Sequence, residues 1–254
     1  MAETALVTGA SSGIGEHFAR RLAQRGYELI LVARRKDRLE QLADELAGTT
    51  HVVACDLGSN AAELPGKVSA LGAEVDLLVN NAGFGLRGRF AELSPERQAE
   101  IVRVNCEAVV ILTRAFVPAM IERGRGGVIT VASTAGMQPL PYEATYGASK
   151  AFALNLTEAL HMELRGTGVK VLAVNPGPVP TEWQQVAGYE EAGGEMMPGT
   201  IEAEQVVEES LRAYDADKRS IVPGRFFRNF MRANNATPRG IRVRVAERLY
   251  RPKT

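Results

Sequence analysis

The stretch Thr8-Gly9-Ala10-Ser11-Ser12-Gly13-Ile14-Gly15 follows a short apolar run, Ala5-Leu6-Val7. It precedes a helical pattern through Phe18, Leu22 and Ala23 that stops at Gly26. The order reads as strand, glycine turn, helix, the setting in which a glycine motif becomes informative. Glycines let a backbone turn tightly and approach a ligand closely. A helix beginning near Gly13 offers unpaired N–H groups and the positive end of its dipole, and both suit a phosphate. The competing reading is a tight turn that binds nothing.

Outward from this turn, strands and helices alternate. Residues 28–32, Glu28 followed by the apolar run Leu29-Ile30-Leu31-Val32, read as a buried strand. Ala33-Arg34-Arg35-Lys36-Asp37 comes next. In a dinucleotide fold the residue about 20 positions beyond the glycines selects the cofactor: an acid binds a ribose 2′-OH, and an arginine accommodates a 2′-phosphate. Arg34 holds that position, with Arg35 beside it and no acid before Asp37, so the sequence favours NADP(H) over NAD(H). A plain solvated helix start is the alternative, although three cations oppose the dipole there. Further strands are expected at residues 51–55, 75–79, 127–132, 169–174 and 220–222. Helices are expected at 94–123, 143–165 and 203–214. Asp56-Leu57 and Asn80-Asn81-Ala82-Gly83 fall at strand ends, on the ligand edge of a parallel sheet. The pattern is α/β: a parallel sheet doubly wound, with helices on both faces, in one domain spanning residues 1–254.

Composition narrows the function. The chain has 254 residues, 45% of them hydrophobic, and a formal net charge of zero, so no global field points to nucleic acid or membrane. Cys55 and Cys106 sit in apolar segments without ligand spacing, which reads as buried thiols in a reducing compartment. The first strand begins too early to leave room for a signal peptide. The most apolar helical stretch, residues 108–121, contains Arg114 and Pro118 and is taken as too short to span a bilayer. A cytoplasmic location is expected. His17, His51 and His161 lie in ordinary settings, and no metal is implied.

Tyr146 and Lys150 are four apart on a helix and share a face. A phenol titrates near 10 and is a poor base at neutral pH, but a nearby ammonium favours the phenolate. Such a pair can pass a proton to or from an alcohol. Ser133, thirteen residues earlier, can bond the same substrate oxygen, and Asn105 can hold a water that links Lys150 to solvent. Tyrosine and lysine at this spacing are common by chance; the order of glycine turn, asparagine edge, Ser133 and Tyr146 carries the weight.

With these residues in place the sequence resembles the short-chain dehydrogenase/reductase family. The matching motifs are Thr8-Gly9-x-x-x-Gly13-x-Gly15, Asn80-Asn81-Ala82-Gly83, Asn105, Ser133, Tyr146-x-x-x-Lys150 and Pro176-Gly177-x-Val179-x-Thr181. The resemblance implies a Rossmann-like seven-stranded sheet and a nicotinamide cofactor. It implies Tyr146 as general acid/base, Ser133 orienting substrate, Lys150 on the ribose and Asn105 completing a tetrad. The cofactor set it implies is Gly9, Ser11, Ser12, Gly13 and Ile14 at the turn; Arg34 and Arg35 at the 2′-phosphate; Asp56 and Leu57 flanking adenine; Asn81 on the adenosine side; and Tyr146, Lys150, Val179 and Thr181 towards the nicotinamide. One departure stands out: many NADP(H) members carry a base where this chain has Ser12, which leaves Arg34, with Arg35 and the hydroxyls of Ser11 and Ser12, to hold the phosphate.

The expected reaction is a carbonyl–alcohol interconversion by hydride transfer. The alternatives are a 3-oxoacyl-thioester reductase and a non-catalytic NADP-sensing protein. The small-molecule pocket is expected between Phe84, Ala135, Met137 and Tyr142 and a substrate loop, residues 177–202, carrying Trp183, Met196 and Met197. Residues 225–254 form a basic extension in which Glu247 is the only acid, and Ile241, Val245 and Leu249 share one helical face. That helix suits an anionic membrane surface or an acyl-carrier phosphate; a solvated end pairing with nearby acids is the preferred reading. No nucleic-acid partner is expected, and the apolar helices around Val109 and Leu154 point to a homodimer or homotetramer.

Overall fold

The computed structural model describes residues 2–182, 187 and 199–251. Seven parallel strands form one sheet: β1 (Thr4–Thr8), β2 (Glu28–Ala33), β3 (Thr50–Ala54), β4 (Leu77–Asn80), β5 (Gly126–Val131), β6 (Val169–Val174) and β7 (Ser220–Ile221). Their order is β3-β2-β1-β4-β5-β6-β7, so the winding reverses between β1 and β4. A crevice at the carboxyl ends of the strands follows from that reversal.

The strands are apolar on both faces, and their side chains sort by a period of two. Ala5 and Val7 of β1 face one core with Phe18, Leu22, Val206 and Leu211. Leu6, between them, faces a second core with Leu64, Leu112, Met120 and Val171. The first core is covered by α1 (Gly13–Gln24), α2 (Lys36–Glu45) and α7 (Ala203–Asp215). The second is covered by α3 (Leu64–Ser69), α5 (Ala108–Arg123) and α6 (Ala144–Glu163).

Two readings of the sequence need correction. Residues 95–123 are one continuous helical run of 29 residues: α4 (Pro95–Val102), a π-helical turn (Arg103–Glu107) and α5. It is long and apolar enough to cross a bilayer, so length does not argue against a span; its Val109, Leu112, Val117 and Met120 are buried. The basic tail also holds two helices rather than one, α8 (Arg225–Ala236) and α9 (Arg239–Tyr250).

Candidate active site

A cavity of about 570 Å³ lies at the carboxyl edge of the sheet. Gly9, Ser11, Ser12, Gly13, Ile14, Arg34, Arg35, Asp56, Leu57, Asn81, Ser133, Tyr146, Lys150, Val179 and Thr181 line it. Asn105 stands behind this wall, 1% exposed. The candidate catalytic and cofactor-binding residues named from the sequence are therefore in or against one cavity.

The turn after β1 is shaped for close approach. Gly9 and Gly13 have φ of +67° and +57°, where an L side chain is strained. A Cβ at Gly15 would lie 2.3 Å from the Gly9 carbonyl oxygen. Asn81 fixes the turn: its amide Nδ2 donates to Thr8 O (2.9 Å) and Gly9 O (3.3 Å), and its N–H donates to Thr8 Oγ1 (3.0 Å). Its side chain is spent on β1, although the residue lines the cavity as expected. Ser12 caps α1 without a side-chain bond, so the first amides of the helix face the cavity edge uncapped.

The cations at the end of β2 divide their work. Arg34 is exposed and lies 3.5 Å from Glu100. Arg35 turns to the glycine turn: Nη2 donates to Ser11 Oγ (3.0 Å) and Ser12 Oγ (2.8 Å), and Nη1 to Glu182 (2.8 Å). Arg38, not singled out from the sequence, also pairs with Glu182. Hydrogen bonds from Arg38 and Arg35 hold the Glu182 carboxyl down at about 2. An anion thus already sits on these two guanidiniums. Arg35, Ser11 and Ser12 at the uncapped end of α1, with glycines where a Cβ would collide, fit the phosphates of a dinucleotide.

At the other end stand Ser133, Tyr146 and Lys150. Ser133 caps a short 3₁₀ turn (Thr134–Met137), accepting from Ala135 N at 3.1 Å, and is hydrogen-bonded to Tyr146. Burial pushes the Tyr146 phenol above its ordinary value, opposed by that bond and reinforced by Glu143. Burial brings Lys150 down to about 8. Its Nζ donates to Val131 O at 2.8 Å and lies 6.0 Å from the centre of the Tyr146 ring. The direction for Tyr146 is opposite to the lowering expected beside Lys150, and burial of the phenol is its largest cause.

The Asn105 side chain makes three hydrogen bonds. It lies in the π turn; its Oδ1 accepts from Phe84 N (3.2 Å), and its Nδ2 donates to Phe84 O (3.0 Å) and Ser149 Oγ (2.9 Å). The amide is a brace between β4's loop and α6. A Cβ on Gly83 would lie 3.0 Å from Asn105 Oδ1 and 3.1 Å from Lys150 Nζ, so three motifs converge at that glycine.

Around the catalytic end, Phe84 and Ala135 line the cavity as expected, but Met137 and Tyr142 do not. Leu140, Glu143, Phe227 and Tyr250 take their place. Tyr142 instead donates to Glu247 at 3.0 Å, and Arg87 Nη2 donates to Tyr250 O at 3.3 Å; both contacts tie α9 to the domain. A period of 3.6 over residues 239–250 puts Tyr250 on the side of the helix away from Ile241, the sequence signal for it. Trp183, Met196 and Met197 lie outside the described residues.

The short-chain dehydrogenase family model matches residues 3–192, and the chain belongs to that family. The NADP-dependent 3-hydroxy acid dehydrogenase YdfG of Escherichia coli (strain K12) is 38% identical over 185 residues, covering 71% of this chain and 75% of that protein. A short-chain dehydrogenase from Sphingobium yanoikuyae, solved in complex with NADPH, is 32% identical with a TM-score of 0.79, covering 87% of each chain. A 3-ketoacyl-(acyl-carrier-protein) reductase from Brucella melitensis, complexed with NADH, is 30% identical with a TM-score of 0.76, covering 87% of this chain and 96% of that one. The protein is an NADP(H)-dependent oxidoreductase with the Rossmann-like fold of its family.

Proposed function

We propose that the enzyme interconverts a neutral carbonyl and its alcohol, with Tyr146 as general acid/base. The observation that carries this reading is the hydrogen-bonded pair of Ser133 and Tyr146 in the wall of the cavity that also holds the glycine turn and Arg35. NADP(H), when bound, would supply the hydride chemistry. Ser133 and Tyr146 together offer two hydroxyls to one substrate oxygen, fixing the carbonyl carbon in place. In reduction the Tyr146 Oη–H donates its proton as the oxygen gains charge; in oxidation the phenolate accepts it. The burial that raises the phenol keeps it protonated near neutral pH, the form that reduction needs. Lys150 supplies the positive charge one helical turn away, and Asn105 holds the segment around Gly83 against it. Gly13, Ile14, Ser11, Ser12 and Arg35 would hold phosphates, Asp56 and Leu57 would flank adenine, and Val179 and Thr181 would hold the carboxamide.

The catalytic end is walled by Phe84, Leu140, Phe227 and Tyr250, with the buried carboxylate residue Glu143 among them. This wall suits an apolar carbonyl better than a carboxylate-bearing one, although the Escherichia coli relative is named for 3-hydroxy acids. The cavity's only arginines among the described residues are Arg34 and Arg35, so no tail arginine waits for an acyl-carrier phosphate there. The reading includes a cytoplasmic enzyme assembled from identical subunits. Tyr146→Phe tests it: NADPH oxidation with a panel of ketones should fall at least about a hundredfold, the usual reach of general acid catalysis. NADPH binding, followed by its fluorescence, should be retained. Full turnover in the variant removes Tyr146 from the mechanism.

A further inference from the structure

The two tail helices have an inner and an outer life. Phe227 of α8 and Tyr250 of α9 line the cavity, and Met231 and Ala246 are buried beside them. Their neighbours in sequence point the other way. Phe226 and Phe230 are 52% and 45% exposed with rings stacked at 6.4 Å, and Ile241, Val245 and Leu249 are 51%, 49% and 62% exposed. On α9 the positions 241, 244, 245, 248 and 249 fall on one helical stripe, where Ile, Val and Leu alternate with Arg244 and Arg248. Arg225, Arg232, Arg239, Arg244 and Arg248 are all exposed and have no ion pair among the described residues. Glu247, the only acid between residues 225 and 251, is engaged by Arg251 and Tyr142. The chain as a whole is neutral, so this end is a local concentration of positive charge.

We propose that the outer face of α8 and α9 docks the enzyme on an anionic lipid bilayer. Exposed aromatic and aliphatic side chains flanked by arginines are what an interfacial helix presents to the boundary between head groups and acyl chains. A second copy of the chain is a poorer occupant, because a two-fold contact would set this arginine-rich face against itself. A nucleic acid would use the arginines but leave the Ile241–Val245–Leu249 stripe in water. Docking would place the two cavity-walling helices at the lipid boundary. It stands independently of the identity of the carbonyl.

The full chain is floated with phosphatidylcholine vesicles with and without phosphatidylglycerol, at low and high salt. The comparison variants are Arg244→Glu/Arg248→Glu and Phe230→Ser/Leu249→Ser, none of whose residues lines the cavity, so NADPH binding checks that each is folded. The enzyme should float with the phosphatidylglycerol vesicles at low salt. Binding should fall about tenfold or more in high salt and in the charge-reversal pair, and clearly in the apolar pair. No flotation of the full chain with phosphatidylglycerol vesicles at low salt overturns the proposal. So does flotation indifferent to both variant pairs, a dimer that these substitutions split, or oligonucleotide binding that outcompetes the vesicles.

Discussion

Lys150 and Arg35 are the two cations whose surroundings decide most about the chemistry. Burial holds Lys150 at about 8 against an ordinary 10.5, so its charge is lost as pH rises through 8, while the phenol of Tyr146 keeps its proton well beyond that. If the ammonium assists proton delivery, kcat/KM for ketone reduction should be level from pH 6 to 7 and fall above about 8. A profile level to pH 9.5 would detach Lys150 from the proton path. The sign for stability is opposite: between about 8 and 10.5 the unfolded chain binds the extra proton, so folding gains as pH rises through that window. Arg35 holds two serine hydroxyls of the glycine turn, whereas Arg34 is more exposed and reaches outward to Glu100. Arg35→Ala should weaken NADPH by roughly ten- to hundredfold, the worth of a lost charge-assisted hydrogen bond, and leave NADH nearly unchanged. Equal losses for both cofactors would shift the phosphate role to another residue.

The turn between β1 and α1 and the π turn before α5 are the elements on which those residues depend. Gly15 has no room for a methyl group: backbone oxygen lies 2.3 Å and the Asn81 amide 2.4 Å from where it would go. Gly15→Ala should cost about 1–3 kcal/mol in denaturant unfolding, as overpacking does, and cut NADPH affinity in the same protein. A variant of wild-type stability and affinity would show that the turn yields. Local signals of this sort explain how much was legible in the sequence. The glycine turn, the strand runs and the Tyr146–Lys150 spacing are short-range patterns, and all fall within one or two residues of where they were read. The π turn was not legible, because Asn105 is drawn out of regular helix by Phe84 and Ser149 rather than by its own neighbours. Nor was the choice between Arg34 and Arg35, which depends on which of two adjacent side chains the turn captures. Phe227 and Tyr250 were missed because the tail reaches the cavity only through tertiary contacts such as Tyr142 with Glu247.

At the scale of the whole molecule, α6 links the catalytic wall to the outer surface. Its inner face carries Tyr146, Lys150, Ala153 and Thr157, all buried. Its outer stripe, Ala148, Phe152, Asn155, Ala159 and Met162, is exposed, and Val110 and Ile121 are exposed on α5. A helix apolar on both sides is stable in water when its second side is also covered, and here a partner subunit's matching helices would do so. The wild-type chain should sediment as a dimer or tetramer, and Phe152→Asp with Val110→Asp should yield monomers. Because α6 holds Tyr146 in register with Ser133, dissociation should lower kcat more than it raises the KM for NADPH, whose phosphates bind at the far end of the cavity. A wild-type monomer, or a monomeric variant with undiminished kcat, would mean that the sheet alone keeps α6 in place and that the exposed stripe has another use.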